Sequence, residues 1–316
     1  MTWNVARPPA QTGRTVVVTG ATAGIGYFAA EQLAAAGADV VLAARSADRL
    51  RAAEDAIRRQ VPEASLRSVV LELGSLDAVD EAAARLAALP RLDAVLLNGG
   101  AMDMSRDSRT ADGLPMILGT HVAANVRLLA GILPSLTATA QAHGSVSRVV
   151  HTSTGFVEQL RLGPGDLRRV PRLAIVAYTR AKAATEVFAF ELDRRLRAAG
   201  LPVASIVTRP GVGVDAKTPA RPGVRDATTP YRRNPCTPWA QGKDTAAWSA
   251  VRALTDPALR GGEYLAPAGR LRGEPVTVPT PARTASPAPG EAERVWRQVE
   301  DLAGTPLVLD PVTRVP

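Results

Sequence analysis

The chain has 316 residues, and 46% of them are hydrophobic, which supplies one large core and excludes a disordered chain. Aromatic residues make up only 4%, so Ala, Val and Leu must fill that core. Its 38 basic and 30 acidic residues leave a net charge of +8; the arginines are scattered along helical stretches (Arg49, Arg51, Arg58, Arg59), so no nucleic-acid partner is expected.

Residues 1–14 carry Arg7, Pro8 and Pro9 without an apolar run. Neither a secretory signal nor a membrane anchor is expected there, and a cytoplasmic location follows by default. Residues 15–19 then read as a strand that enters Gly20-Ala21-Thr22-Ala23-Gly24-Ile25-Gly26 and a helix over 25–36. A pyrophosphate reaches the free N–H groups at a helix's positive end only where no side chain intervenes. Glycine also permits positive φ and close packing of helix on strand. Gly20, Gly24 and Gly26, with Thr22, Ala23 and Ile25 between them, therefore read as a dinucleotide phosphate loop. Ile25, Ala29 and Leu33 form the stripe expected on the sheet, and Gly37 ends the helix.

A second strand, 40–44, ends at Ala44-Arg45. An acidic side chain here would bind the ribose hydroxyls of NAD, whereas a guanidinium makes charge-assisted bonds to a 2′-phosphate. NADP(H) is thus expected in preference to NAD(H), with Thr22 offering a further hydroxyl. Further strands are expected at 68–71, 94–97, 148–152, 203–207 and 262–266. Seven strands alternating with Ala-rich amphipathic stretches predict one α/β domain over 1–316, a doubly wound Rossmann sheet with helices on both faces.

Tyr178 and Lys182 stand four apart, on one helix face. A phenol of reference pKa about 10 needs ~4 kcal/mol to come down by ~3 units, and a nearby ammonium supplies part of that. In reduction the phenol gives its proton as a general acid, and in oxidation it serves as base. From Ala181 a helix of about five turns is expected through Ala184, Phe188, Leu192 and Leu196 to Gly200. Residues 211–238 read either as a loop over the substrate or as an ordinary surface loop, and Lys217, Arg221, Arg225, Arg232 and Arg233 there are read as a solvated face in preference to a field for an anionic substrate. The Pro-rich extension 275–316 is expected to cross the surface and dock a helix over 292–302 by Val295, Val299 and Leu302. A lone cysteine, Cys236, forms no intramolecular disulfide, and His121, His143 and His151 lack metal-ligand spacing.

The glycine loop, Asn98-Gly99-Gly100, Tyr178-Thr179-Arg180-Ala181-Lys182 and Pro210-Gly211 together resemble the short-chain dehydrogenase/reductase family, from Gly13 to about Gly304. Asp112-Gly113, residues 148–154 and Gly261-Gly262-Glu263-Tyr264 look most like its retinol-dehydrogenase-like branch. The resemblance implies a carbonyl or alcohol substrate, lipophilic in that branch, with self-association left open. It also implies a Lys182 contact to the nicotinamide ribose, Pro210-Gly211 beside the nicotinamide, and Glu72, next to Leu73, at the adenine.

The family's strand-end Ser, which holds the substrate oxygen, falls on Thr154, with Ser153 the alternative. His121 takes the place of an Asn that organises a relay water, and an imidazole there would change charge near neutral pH. Leu97 and Asp215 also depart from the pattern. These departures leave a second reading, an NADP-binding protein without turnover, and a third, an epimerase or dehydratase.

Overall fold

The computed structural model describes residues 3–103, 105, 107–169, 171–224 and 238–310. Arg225, Arg232, Arg233, Cys236 and the end of the Pro-rich extension lie outside the described residues. The chain runs through β1 (Thr15–Thr19), α1 (Gly24–Ala35), β2 (Asp39–Ala44), α2 (Ala47–Gln60), β3 (Ser65–Val70), α3 (Leu76–Ala87) and β4 (Ala94–Leu97). It continues through α4 (Met116–Leu118), α5 (Ala124–His143), β5 (Ser147–Thr152), α6 (Phe156–Leu160), α7 (Ala174–Ala198) and β6 (Val203–Thr208). Last come α8 (Lys243–Ala246), α9 (Trp248–Thr255), β7 (Tyr264–Pro267), β8 (Pro275–Val278), α10 (Ala282–Ala285) and α11 (Glu291–Ala303).

The strands form one sheet in the order β3-β2-β1-β4-β5-β6-β7-β8, parallel except for β8. Side chains of β1 alternate between two cores, as the two-residue period requires. Val17 joins Val41, Val95, Leu129, Val187 and Trp296 on one face; Val16 and Val18 join Phe28, Leu33, Ile57 and Val251 on the other. Strand order reverses between β1 and β4, and that switch point places the ligand crevice at the carboxyl ends of the strands.

Eight strands, rather than seven, make the sheet. The eighth lies in the stretch expected to be an extended tail, where Pro275-Val-Thr-Val pairs antiparallel with β7, Pro267 opposite Pro275. An edge strand tolerates proline because its outer N–H positions need no partner. β3 begins three residues before its expected start, because Ser65 and Arg67 are polar residues of a half-exposed edge that hydropathy undercounts. α7 also starts early, at Ala174, and its 25 residues carry Tyr178 inside the helix. The helix expected over 292–302 is α11, with Val295 and Val299 fully buried and Leu302 half-buried.

Residues Met116–His143 make one 28-residue helical stretch with a π turn at Gly119–Ala123. Length and composition alone would let it cross a membrane, but 72% of its most apolar window is buried inside the fold, as a core helix is.

Candidate active site

β1 ends at Thr19, and its hydroxyl ties two strand ends together. Thr19 Oγ1 donates to the Leu96 carbonyl (3.1 Å) and accepts from the N–H groups of Asn98 (3.0 Å) and Gly99 (2.8 Å). The sequence reading missed Thr19; a threonine closing an all-valine buried strand was the available signal. Gly20 then turns with φ +69°, and Gly24 adopts φ +59°. A Cβ on Gly26 would lie 2.4 Å from the Gly20 oxygen and 2.7 Å from Asn98 Nδ2, so only glycine lets α1 sit this close. Ala23 caps α1 with no side-chain hydrogen bond and no acid stands in its first turn, which leaves the leading N–H groups for an external anion.

Gly20, Thr22, Arg45, Glu72, Leu73 and Gly99 all line one cavity of about 720 Å³. Ser46 and Arg49, not singled out from sequence, line it too. Ser46 Oγ accepts from Arg49 N–H (3.3 Å) and caps α2, so the exposed Arg45 and Arg49 flank a helix amino end. Glu72 turns one carboxylate oxygen onto the Gly74 N–H at 2.7 Å.

Across the crevice, Pro210-Gly211 follows β6. Gly211 has φ +69°, and a Cβ there would strike the Leu271 carbonyl oxygen at 2.4 Å. Asp215 pairs with Lys243 Nζ at 2.8 Å. The Lys243 stem passes 3.7 Å from where a Gly24 Cβ would be, bringing a cation to the phosphate loop that the sequence reading did not anticipate.

Tyr178 is half-buried on α7. Burial pushes its phenol above the usual value, and a hydrogen bond with the Thr154 side chain pulls against that rise. Thr154 is thus the hydroxyl beside the phenol. Ser153 is fully buried and donates instead to Glu186. Lys182 Nζ donates to the Thr152 carbonyl at 2.6 Å, and burial lowers its pKa to about 8 despite the opposing pull of Glu186. Burial is the larger influence on the phenol, and the Lys182 ammonium is turned to the Thr152 carbonyl at the β5 end.

His121 lies in the π turn, with its ring edge-on to Tyr178 at 5.5 Å. A Cβ on Gly100 would be 2.2 Å from that ring, so the glycine makes room for the imidazole. Burial, and next the charge of Lys182, hold His121 well below the ordinary histidine value. It is therefore neutral, not the group of variable charge that its type suggested. Nε2 stands 3.1 Å from the Ala101 carbonyl and takes the proton, leaving Nδ1 an acceptor with no partner among the described residues. One turn on, Asn125 Nδ2 donates to the carbonyls of Thr120 (2.9 Å) and His121 (3.2 Å), satisfying oxygens that the π turn releases.

Two loop cations have structural partners. Lys217 Nζ donates to the carbonyls of Pro238 (3.1 Å) and Ala240 (2.6 Å). Arg221 makes a bidentate pair with Glu31 at 2.7 and 2.8 Å.

The short chain dehydrogenase family model matches residues 14–162. A mouse polyprenol dehydrogenase is 33% identical over 263 residues, covering 81% of this chain and 76% of the relative. Human retinol dehydrogenase 13 is 32% identical over 203 residues, covering 63% and 59% respectively. Among solved structures, an uncharacterized protein from Mycobacterium paratuberculosis superposes with a TM-score of 0.72 at 25% identity, covering 98% of this chain and all of the other. A Shigella flexneri short chain dehydrogenase complexed with NADP shares the fold, with a TM-score of 0.61 at 22% identity over 81% and 98% of the two chains. The chain belongs to the short-chain dehydrogenase/reductase family, on its retinol-dehydrogenase-like side. It is an oxidoreductase of the alcohol and carbonyl class.

Proposed function

We propose that the protein is an NADPH-dependent carbonyl reductase, run in reverse as an alcohol dehydrogenase, with Tyr178 as the proton donor. The observation that carries this reading is the placement of the Tyr178 phenol against Thr154, one turn before a buried Lys182 fixed to the end of β5. A bound NADPH would supply the hydride to the carbonyl carbon. The carbonyl oxygen, held by Tyr178 and Thr154, takes the phenolic proton as its negative charge develops. Because burial holds the phenol above its usual pKa, it is protonated at neutral pH and ready to donate, which favours reduction.

Three features support the cofactor assignment. No acid ends β2; Arg45 and Arg49 flank the cavity near Thr22; and the glycine cradle with its uncapped helix fits a pyrophosphate. A lipophilic substrate is supported by where apolar surface is exposed. Of the nine exposed large hydrophobics among the described residues, six (Met102, Phe156, Leu160, Leu173, Ile175 and Trp239) belong to segments following the carboxyl ends of β4, β5 and β6. A cytoplasmic location remains part of this reading, on the lone cysteine of the sequence.

Arg45→Asp tests the cofactor assignment. Specificity, as the ratio of kcat/KM with NADPH to that with NADH, is expected to fall by about 100-fold as a charge-assisted pair becomes a repulsion. An unchanged ratio rejects the assignment.

A further inference from the structure

A buried carboxylate outside the expected site lies one turn beyond Lys182. Glu186 is fully buried on α7. One of its oxygens accepts from Ser153 Oγ and from the Tyr264 hydroxyl (3.0 Å), the other from Thr284 Oγ1 (2.8 Å). Three hydroxyls thus converge from β5's end, β7 and α10. A carboxylate this deep is tolerated only if it is fully hydrogen-bonded and has a cation within reach. Lys182 is the cation on its own helix; Arg209, after β6, is the other, lying over the Tyr264 ring at 5.7 Å and paired with Glu158. The remaining titratable groups near Lys182 are the Tyr178 phenol one turn before it, raised by burial, and His121 and His151, both held neutral by burial.

We propose that Glu186 is a positioning residue that keeps Lys182 an ammonium and pins the β5 end carrying Ser153 and Thr154. The proposal rests on the reductase reading above. Lys182 donates to the carbonyl of Thr152, Ser153 to Glu186, and Thr154 meets Tyr178, so three consecutive residues are each fixed to α7. Without the carboxylate, the burial that favours the neutral amine at Lys182 would be opposed by the Thr152 carbonyl and by no neighbouring anion on α7. The same anion links the proton site to the carboxyl-terminal segment through Thr284, which gives that segment a role in the chemistry as well as in packing.

The test is the pH profile of reductive kcat/KM for wild type and Glu186→Gln, with NADPH affinity followed by fluorescence. Glutamine keeps the shape and loses the charge. Lys182 then deprotonates at lower pH, so the alkaline limb is expected to move down by about one pH unit, with NADPH affinity unchanged. Glu186→Met, which also loses the charge at similar side-chain length, should move the limb the same way. It keeps the question open to test if Glu186→Gln does not fold.

A limb that stays in place in whichever variant folds overturns the proposal, as does a fall in rate at all pH values without a shift. Wild-type protein that shows no turnover, or turnover indifferent to Tyr178→Phe, would instead overturn the reductase reading.

Discussion

In the proposed reductase the substrate oxygen lies between Tyr178 and Thr154, so removing the phenolic proton should cost far more than removing binding contacts. Tyr178→Phe is expected to lower reductive kcat by about 100-fold or more while NADPH affinity holds, measured by steady-state kinetics and titration. Burial acts differently on the histidines. His151 is held at about pKa 3 and His121 well below its ordinary value, both chiefly by desolvation. The unfolded chain takes up protons below pH 6.5 that the folded chain refuses, so stability is full above 6.5 and falls with pH toward about 3. The slope approaches roughly 1.4 kcal/mol per pH unit for each histidine. Denaturation midpoints from pH 7 to 5 should fall accordingly, and His151→Leu should remove about half of that slope. The residue type at 121 was legible in the sequence, but its charge was not, because neutrality comes from the packing of the π turn against Gly100 and Lys182.

At the scale of elements, α11 shows how the carboxyl-terminal extension is held. Trp296 is almost fully buried, stacked on Phe188 at 5.0 Å with the Arg195 guanidinium 4.1 Å from its ring. Trp296→Ala should cost about 3–5 kcal/mol of unfolding free energy in denaturant titrations, by cavity formation and lost stacking. On the opposite layer, buried Arg148 in β5 donates to the carbonyls of Ala253 (2.8 Å), Asp256 (2.6 Å) and Leu259 (3.3 Å), closing the end of α9. Arg148→Met removes these three side-chain bonds and is expected to destabilise by about 2–4 kcal/mol.

The strands around the phosphate loop could be read from sequence because β1, β2 and β4 each hold an apolar run buried on both faces. β8 could not, since its four residues carry a proline and only pairing with β7 makes them a strand. Thr19, Arg49, Lys243 and Glu186 escaped for a related reason. Their roles depend on neighbours that the sheet brings together from far along the chain.

In the whole molecule, two helical layers enclose a sheet whose order reverses between β1 and β4, and the chemistry gathers at the carboxyl edge of that reversal. Phosphate loop, arginine pair and phenol lie on separate chain segments, so the proposed hydride transfer would require the intact fold. The most direct test is single turnover of NADPH carrying deuterium at the transferable position with a panel of lipophilic aldehydes and ketones, the product carbinol analysed by mass spectrometry. One deuterium on the carbinol carbon with wild-type protein, and about 100-fold slower transfer by cofactor-saturated Tyr178→Phe, is the predicted result. NADPH bound to wild-type protein with no deuterium reaching any product, or equal transfer by the variant, would contradict it.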